Sequence, residues 1–475
     1  MATSAANAPV NEQDRRLYRT IWRWHFYAGI FCIPLVIWLS ITGSIYLFKP
    51  QIERWIDRPY NHLHLTGPRA TPEQIARTAV IAVPGSTLHY YELPPSNDAA
   101  VRVIVGVGKK EYRVYVNPQT LAILHTISED RRLMTVISHL HGELLVGTPG
   151  SYLVEMAASW AIVLLLTGLY LWWPQQAEKL AGVLWVRTGR GSRIFWRDLH
   201  AVTGVWVSAF ALFLILTGLP WAKGWGGYFK KVRQVTGTSV TKQDWTTSRA
   251  DALADRVAQN SNSLSDAMDD MPGMEHSGHM GHDMDNMSGM TMGGDPYQPF
   301  NVLVPVATTL RLAAPVEIMP AMKAGGTWTI KSDAQNRTLR DVLQANPETG
   351  AIVSQKNFNQ GMFIDRVVGT GIAAHEGQLF GVMNQLLGLV TAMGLVLLSV
   401  SAVVLWWRRR HEGVLGAPVP MARPRWSFAL VAVVLGLAVY LPAMAFSLIA
   451  VLLLEWTVLS RVPTVSRWLG LAAIA

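Results

Sequence analysis

The sequence predicts a mainly α-helical membrane protein, with a duplicated four-span core, a C-terminal helical hairpin and small α+β extracytoplasmic domains. Three observations carry this. Half of the 475 residues are hydrophobic and the mean hydropathy is +0.22, too apolar for an ordinary soluble enzyme. Apolar runs of the ~20 residues needed to cross a hydrocarbon core of ~30 Å fall at 26–48, 150–173, 199–221 and 383–407. Finally, the chain repeats itself. A shift of 175 places His25-Phe-Tyr-Ala-Gly29 on His200-Ala-Val-Thr-Gly204 and Thr42-Gly43 on Thr217-Gly218. A shift of 234 places His141 on His375, Gly147 on Gly381 and Leu171-Trp172-Trp173 on Leu405-Trp406-Trp407, without a gap. An internal duplication of this kind defines architecture more firmly than any single motif.

In order, the chain divides into a cytoplasmic N-terminus with the first span (1–49), an extracytoplasmic domain (50–138) and a second span with a histidine helix ahead of it (139–174). A cytoplasmic loop (175–193), a third span (194–222) and a second extracytoplasmic domain (223–370) with an insert (260–296) follow. The fourth span with its own histidine helix (371–407), a cytoplasmic loop (408–425) and the terminal hairpin (426–475) complete the chain. The last apolar stretch, 427–459, is too long for one span, and Tyr440-Leu-Pro442 near its middle favours two short helices over one long kinked helix. The N-terminus reads as uncleaved, because the run after Arg15 and Arg16 has full spanning length.

Charge sets the expected orientation. Arg15, Arg16, Arg19 and Arg23 precede the first span; Lys179, Arg187, Arg190, Arg193 and Arg197 separate the second from the third. Arg408, Arg409, Arg410, Arg423 and Arg425 follow the fourth, and Arg461 and Arg467 follow the hairpin. If the last apolar stretch is a hairpin, all four clusters share one side, which the positive-inside rule makes cytoplasmic. The net charge of +9 is mostly this bias, so membrane lipid and not nucleic acid is the expected surroundings. The single cysteine, Cys32, lies within the first span, which excludes an intramolecular disulfide, a thiolate metal site and covalent haem attachment.

The soluble parts repeat as well. Tyr112-Arg-Val-Tyr-Val-Asn-Pro-Gln-Thr120 followed by Leu121-Ala-Ile-Leu124 signals a β-hairpin. Gln344-Ala-Asn-Pro-Glu-Thr-Gly350 followed by Ala351-Ile-Val353 repeats it. Thr71-Pro72 opens a helix, with Thr as N-cap and Pro in the first position. The stretch 260–296 differs, with eight methionines and three histidines between Met268 and Met292, spaced by Gly, Ser and Asp. It is expected to be a disordered insert.

These motifs carry a family resemblance. Tyr-x-Val-Tyr-Val-Asn-Pro-x-Thr, Leu-His-Gly-Glu-Leu-Leu-Val-Gly, Thr-Gly-Leu-Tyr-Leu-Trp-Trp-Pro and the N-terminal Trp-x-Trp-His-x-x-x-Gly are similar to the PepSY-associated transmembrane family, also called the PiuB-like iron-regulated membrane proteins. The similarity covers roughly residues 15–465 without the insert. The resemblance implies a bacterial inner-membrane protein with PepSY-like extracytoplasmic domains, akin to di-haem reductases that release iron from ferric siderophores.

Topology bears on the haem expectation independently. His25 and His200 open outward-running spans and fall on the cytoplasmic side, whereas His141 and His375 precede inward-running spans and fall on the outer side. The four histidines therefore form two same-level pairs related by the duplication. Haem iron accepts an axial imidazole on each face, so two bis-His b-type haems are expected. His139 competes with His141, but only His141 matches His375 in the repeat. His62, His64, His89, His125 and His411 lie outside the repeat and read as ordinary surface residues. Gly29 and Gly204, four residues after the inner histidines, would admit a porphyrin or a neighbouring helix. Arg23, Arg193 and Arg197 either pair with haem propionates or only fix topology. The tryptophans at the span ends suit an interfacial belt.

In the insert, Met271, Met274, His276, His279, Met280, His282, Met284, Met287 and Met290 form a soft, flexible ligand set. Thioethers select Cu(I) and imidazoles suit Cu(II), so copper is the expected metal there. The leading expectation is a transmembrane di-haem oxidoreductase that reduces a ferric siderophore or Cu(II). No catalytic acid–base residues are required. Without a Gly-rich dinucleotide fingerprint, the expected electron donor is quinol or a cytoplasmic flavoprotein. A non-enzymatic copper-binding membrane protein working through the insert, and a regulatory PepSY-like module, are the alternatives.

Overall fold

The structure is a computed structural model that describes residues 12–173, 181–238, 295–321, 325–421 and 427–471. It divides into two units. One comprises Met1–Phe48, Ile137–Thr241 and His375–Ala475; the other comprises Lys49–Val136 and Lys242–Ala374.

The first unit is a helical bundle. Among the described residues, five helical segments are long and apolar enough to cross a membrane: Glu12–Leu47, Thr148–Trp172, Ser192–Trp221, Val382–Arg409 and Pro442–Leu459. The chain is therefore a multi-pass membrane protein. Helix α1 (Glu12–Leu47) contains the first apolar run and begins well before it, so Arg15 to Arg23 continue the same helix. Helix α6 (Thr148–Trp172) follows a tight turn in which Leu144 and Leu145 take positive φ and Gly147, at φ 68°, caps the helix. Gly381 repeats this cap at φ 60° before the fourth span, Val382–Arg409. Only glycine adopts such a backbone without strain, which explains why the duplication retains it at both places.

Helix α7 (Ser192–Gly218) ends in a 3-10 turn at Leu219–Trp221 and continues into α8 (Lys223–Val235). The two amides that open α8 are capped by the buried Glu155 of α6; Gly224 N donates to it at 2.9 Å. The indole N–H groups of Trp172 and Trp406, equivalent in the repeat, donate to the carbonyls of Val183 and Leu415. These tryptophans thus pin the loops after their helices. The last apolar stretch is split by one non-helical residue, Leu441 (φ −120°, ψ 77°), with Pro442 opening the next helix. The 13-residue helix Phe428–Tyr440 rises only ~20 Å. Its successor is extended by the π turn Glu455–Leu459 to spanning length.

The second unit is α+β. Its eight strands are β1 (Thr87–Glu92), β2 (Val101–Val107), β3 (Lys110–Val116), β4 (Ile123–Ser128), β5 (Val316–Met319), β6 (Trp328–Ser332), β7 (Asp341–Ala345) and β8 (Ile352–Asn357). They form one antiparallel sheet in the order β4-β3-β2-β1-β5-β6-β7-β8. The two soluble modules, expected as separate domains, are joined: β1 pairs with β5 through Tyr91↔Ile318 and Glu92↔Glu317. Each module ends in the hairpin anticipated from its Asn-Pro motif. Asn117 Oδ1 accepts from the amides of Gln119 and Thr120, and Asn346 Oδ1 from those of Glu348 and Thr349. Helix α4 (Pro72–Ile81) starts with the expected Thr71 cap, completed by Gln74 as a reciprocal capping box.

Strand alternation gives the sheet two different faces. Tyr91, Val103, Val105, Val114, Val116, Ile318 and Ile330 form an apolar core with Ile75, Ala76 and Ala79 of α4 and with Phe300 and Leu303 of Pro299–Thr309. The other face buries charge. Glu92 lies between Arg102 and Arg113, at 3.5 and 2.6 Å, and Arg113 also reaches Glu129 at 2.6 Å. Asp57 accepts from Arg102 and from the Tyr115 hydroxyl. His89, expected at the surface, is 5% exposed and bonded to Glu111. Its ring lies over Gly106, where a Cβ would stand 2.2 Å from Nε2.

Candidate cofactor-binding site

The four histidines of the repeat all stand in the helical bundle, and the structure assembles them into two pairs. The ring centroids of His25 on α1 and His200 on α7 are 6.4 Å apart, with an interplanar angle of 84°. Those of His141 and His375 are also 6.4 Å apart, at 71°. His141 is carried by the helix Leu133–Glu143 and His375 by Phe363–His375. His139 is half-buried on the first of these helices, and the pairing with His375 is made by His141.

Each imidazole is held at Nδ1 by a helix other than its own. His25 Nδ1 lies 3.0 Å from Thr167 Oγ1 on α6, and the Leu164 carbonyl also bonds the imidazole. His200 Nδ1 donates to the Leu398 carbonyl at 3.1 Å and lies 3.2 Å from Ser401 Oγ. His141 Nδ1 lies 3.0 Å from Thr42 Oγ1 on α1, with the Leu39 carbonyl as second partner. His375 Nδ1 donates to the Leu214 carbonyl at 2.8 Å and lies 3.2 Å from Thr217 Oγ1 on α7. A carbonyl can only accept, so His200 and His375 carry their proton on Nδ1. The Thr167 and Thr42 hydroxyls, whose own protons go to Val163 O and Trp38 O, assign the same tautomer to His25 and His141, and each ring presents an Nε2 lone pair. Among the described residues, no hydrogen bond engages any of these Nε2 atoms. Burial, then His375, pushes the His141 imidazole down to about 4, and burial also lowers His375; both are neutral near pH 7.

Glycines make room for the rings. A Cβ at Gly43 would stand 3.1 Å from His141 Cε1, at Gly218 3.1 Å from His375 Cε1, and at Gly168 3.2 Å from His25 Cε1. Gly29 and Gly204 face neighbouring helices: their hypothetical Cβ atoms meet Leu164 Cδ2 at 3.9 Å and Leu398 Cδ1 at 3.3 Å. Of the two uses suggested for them, close helix approach is the one these contacts support.

Two imidazoles on opposite sides of one metal ion, with bonds of ~2.0 Å and ~1.2 Å from ring centre to nitrogen, have centroids ~6.4 Å apart. Both observed pairs match this spacing. They provide two neutral ligands and no third: among the described residues, no group of three or more His, Cys, Asp or Glu side chains could hold a metal ion. Such a pair suits a cofactor that brings its own equatorial ligands.

The candidate arginines make contacts within the protein. Arg23 donates to the carbonyls of Pro418 and Gly470 and to the Tyr27 hydroxyl, which ties the C-terminal segment to α1. Arg197 and Arg187 both bind Asp198, which is fully buried. Arg409 lies over the rings of Trp22 and Phe26, at 5.1 and 5.4 Å. The ligand set Met271, Met274, His276, His279, Met280, His282, Met284, Met287 and Met290, like Lys179, Arg423 and Arg425, falls outside the described residues.

Sequence reasoning missed the residues that grip the imidazoles. Their signal lies in the same repeat: Leu39 and Thr42 fall on Leu214 and Thr217 at the 175 shift, and Leu164 and Thr167 on Leu398 and Ser401 at the 234 shift. The duplication thus preserves each histidine together with its carbonyl and its hydroxyl. No curated protein matches the chain. The family model described as the PepSY-associated TM region matches residues 22–409, which contain all five motifs of the repeat and both soluble modules. The chain therefore belongs to the PepSY-associated transmembrane family.

Proposed function

We propose that this membrane protein of the iron-regulated type is a di-haem b oxidoreductase of the bacterial inner membrane, which carries electrons outward to reduce a metal complex. The observation that supports this best is the pair of matched histidine couples, each 6.4 Å between ring centres and each with its Nε2 lone pairs unengaged. His25 and His200 would hold one haem, His141 and His375 the other. Held between two histidines, a haem would supply single-electron exchange and leave no site for oxygen. The protein's residues supply the rest: carbonyls and hydroxyls fix the tautomer, and glycines keep the ring edges clear. On helices α1 and α7 the two levels lie seventeen residues apart, from His25 to Thr42 and from His200 to Thr217, a rise of ~25 Å. That distance suits two centres placed in opposite leaflets.

The arginine clusters beside His25 and His200 support a cytoplasmic side for that level under the positive-inside rule, with the N-terminus on the same side. A quinol or a cytoplasmic flavoprotein would be the donor. A quinol gives two electrons, enough for two ferric or two cupric ions, and releases two protons. A ferric siderophore fits the family's iron-regulated character, whereas the Met/His run favours copper as substrate or bound metal.

A haem assay with reduced-minus-oxidised spectra on purified full-length protein tests the reading. Two b-type haems per chain are expected, with one lost in His25→Ala or His200→Ala and the other in His141→Ala or His375→Ala. Deleting 268–292 should leave both in place. A colourless protein that loses its cellular role on that deletion, but not on His141→Ala, would instead favour the copper-binding alternative.

A further inference from the structure

Each histidine meets a hydroxyl at Nδ1, joined at His200 and His375 by a carbonyl, and the hydroxyl is the partner a side-chain substitution can remove. In all four cases the hydroxyl proton is already committed to a carbonyl of its own helix. Thr42 Oγ1 donates to Trp38 O at 2.8 Å, Thr167 to Val163 O at 2.7 Å, Thr217 to Phe213 O at 2.8 Å and Ser401 to Leu398 O at 2.9 Å. Each oxygen therefore meets its histidine only as an acceptor, and at His200 and His375 the imidazole N–H is shared between that hydroxyl and a carbonyl.

We propose that Thr42, Thr167, Thr217 and Ser401 are positioning residues, which lock the plane of each imidazole and strengthen its Nε2 as an electron donor to the bound iron. The proposal rests on the di-haem reading above. An N–H that donates to an oxygen makes the opposite nitrogen more basic, and outer partners of this kind tune both affinity and potential. Each clamp also crosses between helices. α1 carries His25 for one level and Thr42 for the other; α7 carries His200 and Thr217 in the same way. A substitution at Thr42 should therefore act on the His141/His375 level and spare the ligand on its own helix.

The sign follows from the donor role. Oxidised iron gains more than reduced iron from a basic imidazole. Thr→Val keeps the shape but deletes the acceptor, so the midpoint potential of the affected haem should rise. Its dissociation constant should rise about tenfold, the lower end for loss of such a partner. The test uses full-length protein in detergent, with T42V and T217V for one level, T167V and S401A for the other, and T42S and T167S as conservative partners. Potentials come from spectroelectrochemical titration, ligand geometry from low-temperature EPR of the oxidised protein, and affinity from haem transfer to apomyoglobin. The expected result is a rise in potential, a changed EPR signal and weaker retention at the altered level alone, with wild-type values in the Ser variants. Val variants identical to wild type would overturn the proposal, as would Ser and Val variants altered alike, which would mark a packing role. A wild-type protein without haem would overturn the di-haem reading itself, so the two failures are distinguishable.

Discussion

One of the two closest glycine approaches in the candidate site gives its sharpest prediction. Gly43 faces the His141 ring, and a Cβ there would stand 3.1 Å from Cε1 and 3.5 Å from Nδ1. Carbon atoms settle at ~3.5–4.0 Å, so Gly43→Ala must displace the ring by ~0.4 Å or more. That is close to the ~0.5 Å within which a site must hold its ligands, and it also strains the 3.0 Å contact with Thr42. Gly43→Val adds two further carbons that the ring cannot clear. We expect Gly43→Ala to weaken haem retention at this level about tenfold, the scale for a disturbed outer partner, and Gly43→Val to abolish it. The helix itself favours the change, since Ala replaces Gly in a helix interior with a gain of up to ~1 kcal/mol. Apo-protein melting should therefore hold or rise in Gly43→Ala, which separates a site effect from unfolding. Gly436→Ala serves as control, because nothing lies within 4 Å of that position. The assay is haem stoichiometry, which should fall from two to one in Gly43→Val. A full complement of two in that variant would refute the argument that the ring occupies this space.

Two predictions concern stability. Arg113 is buried between Glu92 and Glu129, both at 2.6 Å. Arg113→Met removes the nearer partner of two buried carboxylates, leaving Arg102 and Arg132 at 3.5 Å from Glu92 and Glu129, and should cost ~3 kcal/mol, the lower end for breaking a buried pair. The loss is read as an early transition in thermal unfolding of the full chain; an unchanged melt would show the network to be dispensable. Glu155→Ala removes the acceptor for the amides that open α8 and should cost ~1–3 kcal/mol locally. Limited trypsin digestion should then cut faster at Lys223, Lys230 and Lys231, and a wild-type digestion pattern would contradict the capping role.

Much of this protein is determined by the sequence alone. Hydropathy depends only on composition along the chain, so the four core spans were legible, as were the Thr71 cap and the two Asn-Pro hairpins, whose signals are local. The duplication also identified which four histidines to compare, because register is a property of the sequence. Tertiary structure decided the rest. That His25 meets His200 at 6.4 Å, that Thr167 and Ser401 grip them from other helices, and that Arg23 bonds carbonyls more than 390 residues away all depend on which helices pack together. The joining of two soluble modules into one sheet through β1 and β5 had no local signal, because an edge strand looks the same in sequence whether its neighbour is solvent or another module. His89 was misread for the same reason: the cavity it fills exists only once Gly106 and Glu111 are brought beside it.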